Sequence, residues 1–86
     1  MILQDAKYLA WVLKDHGYKP EGMPRAIVIL DGEHEDLLAR NPDLERGPDN
    51  AVIVDGVSFV PLKAVEDRIP HRVYTLASNG NPAMWW

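Results

Sequence analysis

Eighty-six residues with nine lysines and arginines against thirteen aspartates and glutamates, a net charge of −4 and no cysteine describe one small acidic domain without disulfides or a thiolate metal site. A chain of this length buries only about 60 to 65 per cent of its unfolded surface, so self-association, with a dimer favoured, is the expected extra source of stability. The charge balance excludes a broad basic face for nucleic acid. The start Met1-Ile2-Leu3-Gln4-Asp5 lacks the regions of a secretory leader, and no apolar run approaches the roughly 18 residues of a membrane span; the expectation is a cytoplasmic protein that does not enter the membrane.

Residues 2–16 read as an amphipathic helix, because Ile2, Leu3, Ala6, Leu9, Ala10 and Leu13 fall on one stripe at helical spacing. Lys14 and His16 suit its negative pole, and Gly17 is placed to cap it. Tyr8 and Trp11, three residues apart, are expected as neighbours outside the core, where two adjacent rings signal contact with a subunit, a partner or the chain's own tail. A Pro- and Gly-bearing loop over 18–24 leads to Ala26-Ile27-Val28-Ile29-Leu30, an unbroken apolar run that fits a central strand buried on both faces.

Residues 33–40 form a short predicted helix with Asp31 as its cap, acids at its positive pole, and Asn41-Pro42 as its stop. The polar stretch 41–50 is expected to be a surface loop pinned by Leu44. Val52-Ile53-Val54-Asp55-Gly56-Val57-Ser58-Phe59-Val60 is the strongest structural signal: two apolar runs joined by Asp-Gly predict a hairpin with a type I′ turn. Its register sets Val54 opposite Val57 and Val52 opposite Phe59 on one face, with Ile53 opposite Ser58 and Ala51 opposite Val60 on the other. Both faces are nearly apolar, so both need a cover.

Pro61 stands at a natural first position for a helix over 62–69, which Pro70 ends, and the alternation in 72–76 predicts an edge strand. The tail 77–86 is turn-rich yet closes on Met84-Trp85-Trp86, and burying one indole is worth on the order of 2 to 3 kcal/mol, so it is expected to dock. The fold expected is therefore a single α+β domain over 1–86, in the order α-β-α-β-β-α-β, with a roughly four-stranded mixed or antiparallel sheet and the N-terminal helix packed on it.

The chemistry on offer is sparse. Between Asp31 and Asp49 seven acids face only Arg40 and Arg46, so this segment carries −5 and the rest of the chain +1. Asp31-Gly32-Glu33-His34-Glu35-Asp36 holds residue types able to bind a metal or move a proton, with Glu33, His34 and Glu35 as the candidates. The spacing matches neither a calcium loop nor a zinc-protease helix, and an acidic first helical turn is the plainer reading. Ser58 and Ser78 lie in no nucleophile elbow, and no glycine loop cradles a phosphate.

Residues 54–65, with Val60-Pro61-Leu62-Lys63-Ala64 at their centre, resemble the hairpin-to-helix unit of the copper amine oxidase N-terminal-like modules of bacterial surface proteins. The resemblance covers only this stretch and implies no functional residue.

The leading expectation is non-enzymatic: a self-associating interaction protein without a cofactor, binding another protein through Tyr8, Trp11, Met84, Trp85 and Trp86. Accessory proteins of phages and mobile elements often take this form, with a host protein as the partner. The alternatives are a metal-dependent or acid-base enzyme built on the Asp31–Asp36 cluster, and an acidic inhibitor that mimics nucleic acid.

Overall fold

The computed structural model describes residues 1–16, 26–67 and 83–85. Helix α1 spans Leu3–His16, strand β1 Ala26–Ile29 and helix α2 Asp31–Arg40. The two-residue strand β2, Glu45–Arg46, and a 3₁₀ turn at Pro48–Asn50 precede β3, Val52–Val54, and β4, Val57–Pro61. Helix α3, Leu62–Val65, and strand β5, Ala83–Trp85, complete the described chain. This is an α+β fold; β2 and the 3₁₀ turn are additions to the expected order, α3 ends at Val65 instead of running to 69, and β5 lies in the stretch expected to be a docking tail. The strand expected at 72–76, the Gly17 cap and Trp86 lie outside the described residues.

The sheet order is β2-β3-β4-β1-β5. It is mixed: β4 runs parallel to β1, with Ile27 opposite Phe59 and Val28 opposite Val60, whereas β5 is antiparallel to β1 and β2 to β3. A parallel pair needs a crossover, and α2 with the β2–β3 segment supplies it. The hairpin register is the predicted one, Val52 to Phe59, Ile53 to Ser58 and Val54 to Val57. Its turn places Asp55 at φ 52° and Gly56 at φ 80°, the two left-handed residues that a type I′ turn requires.

Alternation along the strands makes two cores. On one face, Ile27, Ile29, Val52, Val54, Val57 and Phe59 pack against Ala6, Leu9, Ala10 and Leu13 of α1 and Leu37 of α2. On the other, Ala26, Val28, Ala51 and Val60 are covered by Val65 of α3, with Leu62 and Ala64 beside it. The second face of the hairpin thus finds its cover in its own chain. Leu44 packs at the rim of the first core, as expected of the one aliphatic in its loop.

Four local expectations are corrected. Ile2 was placed on the core stripe, but it precedes the helix, its carbonyl accepting from Asp5 and Ala6 N–H, and its side chain is 43% exposed; Met1 is buried instead. Asp31 does not cap α2, whose cap residue is the extended Leu30 without a side-chain bond; the Asp31 carboxylate accepts from Lys63 N–H at 3.0 Å. Pro61 is the last residue of β4 and the cap of α3, held in extended conformation by its parallel partner Ile29. The stretch 41–50 is not wholly loop, because Glu45 and Arg46 pair with Ile53 and Val52; alternation is unreadable in two residues.

Candidate functional site

Two surfaces carry the residues singled out in the sequence. The first is the outer side of α1. With Leu9, Ala10 and Leu13 buried, the 3.6-residue period turns Tyr8 and Trp11 outward; they are 49% and 54% exposed. Their ring centroids lie 6.2 Å apart with planes tilted by 35°, inside the range of favourable aromatic pairing. On the same helix, Lys14 Nζ donates to the Asp55 carbonyl, tying α1 to the hairpin turn. The tail is a separate matter: the main chain of Met84 and Trp85 pairs with Val28 and Ile27 of β1. These two residues are therefore docked in cis by their backbone.

The second surface lies where β1 and β4 both end. Parallel strands deliver their C-termini to one side of the sheet, and open sheets containing them bind ligands there. Asp31 follows β1, Lys63 follows β4, and between them opens a cleft of about 460 Å³ whose polar wall is formed by Asp31, His34, Glu35, Arg46, Asn50 and Lys63. Leu38, Pro61 and Ala64 add its apolar surface.

Among the described residues, His34 is the one polar side chain buried with the core, 4% exposed. Its Nε2 lies 2.8 Å from the Asn50 carbonyl. A carbonyl only accepts, so Nε2 carries the proton and the lone pair of the neutral ring rests on Nδ1. Burial pushes the His34 pKa below its ordinary 6.5, the Asn50 carbonyl opposes this, and Arg46 adds to the lowering; the ring is neutral at physiological pH. Asn50 accepts again from Arg46 Nη2 at 3.2 Å, while Arg46 Nε donates to the Ala51 carbonyl at 3.0 Å. Asp49 and Asn50 both have left-handed backbone, at φ 61° and 63°, tolerable for Asx residues and fixed here by two side chains on one carbonyl.

The rest of the acidic cluster is engaged away from the cleft. The Met1 ammonium lies 2.6 Å from Asp36 Oδ2 and 3.0 Å from Glu33 Oε2, and Arg40 Nε reaches Asp36 at 2.8 Å. Burial works against the charge on the Met1 amine, but hydrogen bonds to Asp36 and Glu33 outweigh it and raise its pKa; the same bond, with help from Arg40, holds the Asp36 carboxyl below its usual range. Of the three weak metal candidates, His34 and Glu35 therefore face the cleft and Glu33 turns to the N-terminus. Among the described residues no three His, Asp or Glu side chains converge on a metal-sized site.

The chain matches no known protein family, no curated protein and no solved structure. The local likeness of residues 54–65 to the amine oxidase modules thus extends to no family match, and the functional reading rests on the two surfaces alone. No helix among the described residues is long and apolar enough to cross a membrane. Sequence reading did not assemble the cleft. Arg46, Asn50 and Lys63 join Asp31 and His34 only because β4 pairs with β1, and the one available signal was that an apolar strand precedes both Asp31-Gly32 and Leu62-Lys63.

Proposed function

We propose that this protein is a cytosolic, self-associating interaction module that captures another protein through the outer face of α1, with Tyr8 and Trp11 as anchors. The observation that carries this reading is the paired, half-exposed Tyr8 and Trp11 on a helix whose opposite side is filled by the core. Two rigid rings offer large contact area at small conformational cost. Met84 and Trp85, in the edge strand β5, and Trp86 act in the same reading as secondary anchors. A phage or mobile-element origin would make the partner a host protein, and the −5 segment between Asp31 and Asp49 would favour a basic one.

Sedimentation velocity tests the proposal on the wild type beside Tyr8→Ala, Trp11→Ala and a variant lacking Trp85 and Trp86. Loss of a central aromatic anchor costs 2 kcal/mol or more in interfaces of this kind, a shift of roughly 30-fold in Kd. A wild type that stays monomeric, with partner capture indifferent to all three changes, rejects it.

A further inference from the structure

The cleft at the ends of β1 and β4 stands apart from the α1 surface. We propose that it is a binding site for a small zwitterion of amino-acid type, its ammonium held by the α2 wall and its carboxylate by the facing cations.

The acceptors and the donors of the cleft come from different elements. Asp31, His34 and Glu35 all belong to α2 and offer only acceptors: two carboxylates and the Nδ1 lone pair of a ring whose Nε2 is committed to Asn50. Nδ1 has no hydrogen-bond partner among the described residues, and His34, only 4% exposed, lines the cleft. Arg46 and Lys63 come from β2 and α3 and offer only donors. No carboxylate forms a salt bridge with either of them among the described residues.

Three of the polar groups are also fixed before any ligand arrives. Asp31 is held by Lys63 N–H, His34 by the Asn50 carbonyl and Arg46 by the Ala51 and Asn50 carbonyls. Each keeps a free valence: the second Asp31 oxygen, His34 Nδ1 and Arg46 Nη1. Fixing the contacts in advance reduces the ordering cost of binding.

Charge complementarity selects the ligand class. A simple anion would face Asp31 and Glu35, a simple cation would face Arg46 and Lys63, and an apolar molecule would strip water from four charges without replacing it. A molecule bearing both signs satisfies both walls, and about 460 Å³ falls within the range of small-molecule sites.

The test is an amide-resolved NMR titration of the full chain with the free L-amino acids, each beside its N-acetyl form, which lacks the ammonium, and its methyl ester, which lacks the carboxylate. Saturable movement of the Asp31, Glu35, Lys63 and Ala64 amides with at least one free amino acid, weakened about fivefold or more in both capped forms, supports the proposal, since one charge-assisted hydrogen bond is worth at least that factor. No saturable movement with any of them up to about 10 mM, a threshold that corresponds to negligible affinity, overturns it, and so does a smaller loss on capping. Lys63→Met and Glu35→Gln alter exposed side chains without a bond to the fold, so they stay folded; binding by either at wild-type strength also overturns it. Because Tyr8 and Trp11 are untouched, these outcomes are independent of self-association.

Discussion

At Gly56 a φ of 80° puts the backbone where a β-carbon is strained, whereas Gly32 lies in the first turn of α2 with nothing within 4 Å of an added β-carbon. The same substitution should therefore act in opposite directions. Gly56→Ala is expected to lower stability by about 1 kcal/mol or more, and Gly32→Ala to raise it by about 0.5 to 1 kcal/mol, partly through the unfolded chain; urea midpoints at constant m-value read both. His34 gives a second residue-scale outcome. Its folded pKa lies below the ordinary 6.5, with burial as the leading cause, so the unfolded state takes up the proton first as pH falls. The contribution of the neutral ring is complete above about pH 6.5 and is lost as pH drops through the depressed folded value. The melting temperature should fall between pH 7 and 5, with a shallower slope in His34→Gln, which keeps a donor for Asn50 but does not titrate.

At the scale of elements, α1 separates stability from assembly along one helix. Leu9 is fully buried against the sheet, so Leu9→Ala should cost about 2 to 5 kcal/mol, while Tyr8→Ala next to it should stay within about 0.5 kcal/mol and change only association. Phe59 is the central case of the sheet, opposite Val52 on one side and Ile27 on the other. Phe59→Ala is expected to remove about 3 to 5 kcal/mol, a large share of the roughly 5 to 15 kcal/mol that a domain holds; thermal denaturation followed by circular dichroism would show partial unfolding near room temperature.

For the whole molecule the exposed question is the β1 edge. All four residues of β1 are buried, and β5 is what pairs with its free side. Removing residues 83–86 would leave a fully apolar strand with open hydrogen-bonding groups, a template for aggregation. The truncated chain should melt at lower temperature and scatter light more strongly on concentration than the full chain. The Trp11→Ala variant should do neither, because its surface lies on the helix and not on the sheet.

Local chemistry by itself determined the hairpin: Asp55-Gly56 dictates the turn, a two-residue turn fixes the register, and the register assigns every side chain from Val52 to Phe59 to a face. It also determined α1 and the outward position of Tyr8 and Trp11, since both follow from a 3.6-residue period within one helix. Ile2 and Asp31 were misplaced because helix ends depend on what the neighbouring chain offers: Met1 has a core to enter, and Lys63 N–H draws the carboxylate that would otherwise cap α2. Only the tertiary structure decided that β1 and β4 run parallel side by side, and with that pairing the cleft. Nothing local links Asp31 to Lys63, 32 residues apart, or His34 to Asn50; they meet because β1 and β4 lie side by side in parallel at the centre of the sheet.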